Sequence, residues 1–113
     1  MYEIVIINGK DYPVRFGMNA LRLFCKETNR SLTDLDKLGN DLSLDDACCL
    51  IKAGLADGAR KAGKEFTLGV EDISDILDED FDAMQKVLDV FSTQFTAKMG
   101  NEKEEKKTPP KKK

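Results

Sequence analysis

Tyr2-Glu-Ile-Val-Ile-Ile-Asn-Gly-Lys-Asp-Tyr-Pro-Val-Arg-Phe16 is the stretch that decides the fold class. Two β-branched and aromatic runs flank Asn8-Gly-Lys-Asp11, and an Asn-Gly pair tolerates the positive φ angles of a tight turn. The stretch reads as a β-hairpin, with Pro13 lacking a donor and marking its second strand as an edge or an irregular start. Two strands alone are marginal in water, so the hairpin has to lie on helices or pair with another chain.

The remainder of the chain supplies helices. From Asn19 the period changes, with Leu21, Phe24 and Cys25 on one helical face and an end near Asn29. Ser31-Leu-Thr-Asp34 caps a short turn leading to Leu38-Gly39. Ser43-Leu-Asp-Asp46 is a better-defined start, in which the serine accepts from a free N–H and the two acids favour the positive end of the dipole. The helix it opens runs to about Ala62, with Ala47, Cys48, Ile51, Leu55, Ala59 and Ala62 on a small-residue stripe and Gly63 as its stop. Together with Gly54 and Gly58 that stripe lets a second element approach closely, either inside one core or across a homo-oligomer seam.

Phe66-Thr-Leu68 is extended enough to add a third strand. A brief helix from Val70 to Leu77 follows, with Val70, Ile73, Ile76 and Leu77 apolar. The last helix, from about Phe81 to Lys98, spaces Phe81, Met84, Leu88, Phe91 and Phe95 by threes and fours, with Val87 and Val90 widening the stripe beyond a coiled-coil seam. The fold class is therefore α+β and mostly helical: an N-terminal hairpin, about four helices, one small domain over residues 1–99, and a tail over 100–113.

That tail, Gly100-Asn-Glu-Lys-Glu-Glu-Lys-Lys-Thr-Pro-Pro-Lys-Lys-Lys113, has no apolar side chain to bury. It cannot offset the roughly 1–2 kcal/mol per residue that ordering a backbone costs, so it reads as disordered. Its six Lys and three Glu give it +3, which leaves −6 on the preceding body of a chain with net charge −3. An acidic body argues against a nucleic-acid surface, whose affinity comes largely from Lys and Arg neutralising phosphates.

Three cysteines, Cys25, Cys48 and Cys49, occur with no CxxC and no histidine in the chain. Structural zinc usually takes four Cys or His ligands, and a nucleophilic thiol usually has a base beside it, so the cysteines read as small buried groups in a reducing compartment. No Gly-rich phosphate loop, GxSxG or cleft carboxylate pair is present, and the reading is of a non-enzyme with no cofactor or metal. Ile4-Val-Ile-Ile7 is too short for a signal h-region or a membrane span.

The sharpest charge feature is Glu71, Asp72, Asp75, Asp78, Glu79, Asp80 and Asp82, with no base between positions 71 and 82. Neither register of an EF-hand loop fits: from Asp78 the sixth and twelfth residues are Ala83 and Asp89, and from Asp75 they are Asp80 and Lys86. The cluster reads as helix capping and a solvated face, or as a surface that steers a basic partner.

The layout of hairpin, helix, small-residue helix and final amphipathic helix, opened by Asn8-Gly-Lys10, Tyr12, Val14 and Phe16-Gly17, resembles the tail assembly chaperones of long-tailed bacteriophages. The likeness covers residues 2 to 98 in layout and Asn8 to Phe24 in residue type. It implies a small cytoplasmic protein of the infected bacterial host that coats the helical tape measure protein, keeps it soluble and helps tail tube subunits polymerise, and that self-associates. It also implies two product lengths through ribosomal frameshifting, and Lys111-Lys-Lys113 is what an A-rich slippery site would encode.

Under that resemblance the candidate client or self-association surface is Ile51, Leu55, Ala59, Phe81, Met84, Leu88, Phe91 and Phe95, with the seven acids steering. Two other classes stay open: a structural head–tail completion component of the virion, and a small host adaptor of antitoxin type with a basic tail.

Overall fold

A computed structural model describes residues 2–37 and 42–96. The expected tail over 100–113, and the last residues of the expected final helix, lie outside them. The elements run β1 (Glu3–Ile7), β2 (Lys10–Val14), α1 (Met18–Thr28), a 3-10 turn (Leu32–Lys37), α2 (Leu44–Lys61), α3 (Val70–Glu79) and α4 (Asp82–Phe95). The α+β reading holds: an antiparallel hairpin followed by four α-helices.

Asn8 and Gly9 take φ of 53° and 79°, the two positive angles of a type I′ turn, which matches the twist of the strands it joins. That turn sets the register Ile7↔Lys10, Val5↔Tyr12 and Glu3↔Val14, and places Ile4 opposite Pro13. Helix signals also act where the sequence put them. The Ser43 hydroxyl accepts from the Asp46 N–H at 3.1 Å, satisfying one orphan donor of α2. Asn29 at φ 58° closes α1, and Gly63 at φ 75° follows α2.

Three expectations need correction. Phe66-Thr-Leu68 adds no strand; among the described residues the only sheet is β1-β2. The Val70 helix runs two residues longer, to Glu79. The final helix begins at Asp82, with Phe81 outside it at the N-cap, and the stripe drawn through Phe81 is rotated from the buried one. The buried positions are Ala83, Val87, Phe91 and Phe95, while Met84 and Leu88 sit at the margin. A regular spacing of threes and fours fixes the period of a helix; which arc of its circumference faces inward depends on what packs against it.

The hairpin rests on helices: β2 packs on α2 and β1 on α4, while α2 also meets α1, α3 and α4. Because it is covered from so many sides, α2 buries Leu50, Ala53 and Asp57 besides its expected stripe. One cluster of buried residues joins hairpin and helices, with Phe16, Phe24, Leu50 and Ile51 among its innermost side chains.

Candidate functional site

The small-residue stripe of α2 turns out to serve the protein's own core. An added Cβ at Gly58 would lie 2.1 Å from the Pro13 carbonyl oxygen, and one at Gly54 would lie 2.3 Å from Cζ of Phe16. The absence of side chains lets the Arg15 N–H donate across the gap to the Gly54 carbonyl at 3.0 Å. Between the two glycines stands Asp57, only 3% exposed. Its Oδ2 accepts from Arg15 Nη1 at 3.0 Å and from the Gly17 N–H at 3.1 Å, and its Oδ1 accepts from Arg60 Nη2 at 2.9 Å. The carboxylate thus ties the end of β2, the start of α1 and the end of α2 together, with its charge compensated and both oxygens accepting hydrogen bonds. Sequence reasoning missed this group; an acid among small buried residues, three before an arginine on the same helix, was its one visible sign.

Ile51, Leu55 and Ala59 are buried in the same seam. Phe91 and Phe95 are also inside. Phe91 meets Phe16 edge-on at 5.2 Å and stacks on Phe95 at 5.3 Å. Five of the eight proposed surface residues are therefore occupied by intramolecular packing in this conformation. Phe81, Met84 and Leu88 reach the surface.

Phe81 is 70% exposed, and across from it Leu44, in the first turn of α2, is 67% exposed. Between them lies an open groove of about 340 Å³, floored by Cys48 of α2, Leu77 of α3 and Met84 of α4. Ser74 lines it as well and donates from its hydroxyl to the Cys48 sulfur at 3.6 Å. Asp75 and Asp78 stand at the groove's rim. Three elements converge here because α3 and α4 are joined by a tight corner at Asp80-Phe81, which leaves Phe81 with nothing of its own to cover it.

The acidic run divides by task. Asp72 accepts the Gly69 N–H at 2.8 Å and caps α3. Asp80 accepts the Asn8 N–H at 2.8 Å, and Glu79 accepts from the Asn8 amide at 3.5 Å, so these two clasp the hairpin turn. The Asp80 side chain, one of the acids read as capping helices, reaches instead to a residue seventy-two positions away. Glu71, Asp75, Asp78 and Asp82 are exposed and make no hydrogen bond or ion pair with the described residues.

Cys25 and Cys49 are half-buried and Cys48 is buried, all three as free thiols. Burial, aided by Asp34, pushes the Cys25 thiol above its ordinary value against the pull of Arg30. Burial likewise raises Cys49, with Asp45 and Glu27 adding to it and Lys52 opposing. Neither is an activated nucleophile. Among the described residues no group of three or more His, Cys, Asp or Glu is placed to hold a metal ion, and no helix is long and apolar enough to cross a membrane.

What the groove presents is a mixed apolar and acidic surface. It offers large apolar contacts at its lips, a soft sulfur-rich floor from Cys48 and Met84, and uncompensated negative charge along one rim. No family model matches the sequence, and comparison with curated proteins and with solved structures gives no significant match to either.

Proposed function

We propose that this chain is a non-enzymatic assembly chaperone of a long-tailed bacteriophage, working in the cytoplasm of the infected cell. Its client is the helical tape measure protein, held soluble while tail tube subunits polymerise around it. The single observation carrying the reading is the groove, where Phe81 and Leu44 leave large apolar side chains in water beside Asp75 and Asp78. A client helix laying apolar anchors into such a groove would gain about 1.5–3 kcal/mol for each fully buried large side chain. Basic residues beside those anchors would face the two aspartates and be drawn in faster at low salt. The resemblance in layout and in the Asn8–Phe24 segment supplies the identity of the client; the groove supplies the means.

The test is co-expression of the full chain with a tape measure protein, scoring whether the client becomes soluble and elutes with it. Phe81→Asp and Leu44→Asp together should return the client to the insoluble fraction while the chaperone stays folded. A client that stays insoluble with the parent chain, or that co-elutes equally with the double variant, overturns the reading. Asp75→Asn with Asp78→Asn should slow association severalfold at low salt and change it little at high salt.

A further inference from the structure

The groove at Phe81 differs in charge from two other clefts of the described residues. Its lining holds Asp75 and Asp78 and no base. A cleft of about 240 Å³ between α1 and α2 is lined by Arg22 and Arg60 beside Asp57, and one of about 350 Å³ along β2 by Lys10 and Lys64 beside Asp11 and Glu65. The acidic side of the groove also extends past its rim. Glu71 lies one turn before Asp75 on the same face of α3, and Asp82 adjoins Phe81; both are exposed. A segment that is basic and partly apolar is thereby drawn to this groove and not to the other two.

The chain itself supplies such a segment. Seventeen residues follow Thr96 outside the described structure, and their charge is unevenly spread. Glu102, Glu104 and Glu105 come first; Lys106-Lys-Thr-Pro-Pro-Lys-Lys-Lys113 then carries five lysines and no acid. Its centre is a Pro-Pro pair. Prolines bring no N–H to be left unsatisfied over an apolar floor, and a Pro-rich run enters aromatic-lined grooves in an extended form that costs little entropy to fix.

Chain length fits the distance. Phe81 stands at the start of α4, whose 14 residues set it about 21 Å from the helix end. The twelve residues from Ala97 to Thr108 reach up to roughly 40 Å when extended and average about 20 Å as a coil. A tether whose mean length matches the span to its site gives the highest local concentration, in the millimolar range for short linkers. A foreign peptide of the same chemistry has no such advantage.

We infer that Thr108-Pro-Pro110 docks in the groove between Phe81 and Leu44, with Lys106 and Lys107 on one side and Lys111 to Lys113 on the other drawn to Asp75, Asp78 and Asp82 of the same chain. The contact is weak and reversible, because exposed ion pairs are screened and two prolines cover little area. Its consequence rests on the proposed function: the tail is a gate that a basic client helix has to displace.

The test uses the full chain at low salt, with methyl-labelled methionine. Pro109→Ser with Pro110→Ser should move the signal of Met84, on the groove floor, and leave that of exposed Met18 unchanged. Lys106→Ser, Lys107→Ser, Lys111→Ser, Lys112→Ser and Lys113→Ser combined should do the same. Neither variant alters a described residue, so the folded body stays intact. A carbodiimide that joins amines directly to carboxylates should link Lys106–Lys113 to Asp75, Asp78 or Asp82. In a mixture of nitrogen-15 and unlabelled protein those links should fall within one chain, and their yield should drop severalfold at about 1 M salt. A Met84 signal that ignores both variants, links spread evenly over distant acids such as Glu3 and Asp45, or links mainly between labelled and unlabelled chains overturns the inference. So does a Met84 signal moved by the lysine changes alone, which would leave the prolines no seat. Failure of the co-expression test removes the client and leaves the docking in place; failure here removes the docking and leaves the client.

Discussion

The two ends of α2 are built on opposite terms. Its C-terminal half is pressed against β2 at backbone distance, with Gly54 and Gly58 giving up side chains and Asp57 satisfying every donor that reaches it. Its N-terminal turn holds Leu44 out in solvent above a groove that no described element fills. One helix thus carries both a seam at backbone contact and one wall of an open apolar groove. Close backbone approach leaves no room for adaptation; an open lip of Leu, Met and Phe side chains can repack around a partner. Under the proposed function, stability and binding should for this reason be separable by mutation, even on a single element.

The seam should break hardest. In Gly58→Ala the new methyl meets the Pro13 carbonyl and the Val14 nitrogen, both backbone, so the hairpin has to move. The expected loss is about 2–3 kcal/mol from overpacking, enough to outweigh the ~1 kcal/mol that alanine gains over glycine in a helix. A urea titration should show a lower midpoint at unchanged slope; an unaltered midpoint would mean that the seam is looser than described. Asp57→Ala comes next, because it leaves the Arg15 guanidinium and the buried Gly17 N–H without their acceptor. About 2 kcal/mol is expected, whereas Arg60→Ala, removing the more exposed partner, should cost under about 1 kcal/mol.

At the other end of the helix, Leu44→Ser and Phe81→Ser should shift stability by no more than about 0.5 kcal/mol, since neither side chain is packed. A large loss at either position would show that the lips belong to the core and would remove the contrast. The smallest effect is on the thiols. At pH 8 Cys25 and Cys49 should alkylate more slowly than a free cysteine, because raised values leave less thiolate, and urea should abolish the difference.

Much of the fold was legible because its signals are local. Asn8-Gly9 set a turn, Ser43 capped α2, and Asn29 and Gly63 ended helices, each through the conformational freedom or hydrogen bonding of one or two residues. The site was legible only in part. Phe81 and Met84 were named from their spacing, but so were Ile51, Leu55, Ala59, Phe91 and Phe95, which are packed inside. Apolar spacing identifies side chains that avoid water without saying whether the cover is this chain or another. Leu44 went unnoticed because a single leucine beside a cap carries no period.

By itself, then, the sequence determined most of the element types, their order and most of their ends, together with an acidic body without histidine. Those properties follow from φ preferences, caps, periodicity and composition, each confined to a few neighbours in the chain. Only the tertiary structure decided that the glycines of α2 face Pro13 and Phe16, that Asp57 is buried with two arginines, and that Asp80 fastens Asn8. Most of these contacts depend on the rotation of a helix about its axis and on partners about forty to seventy residues away, which no local preference specifies.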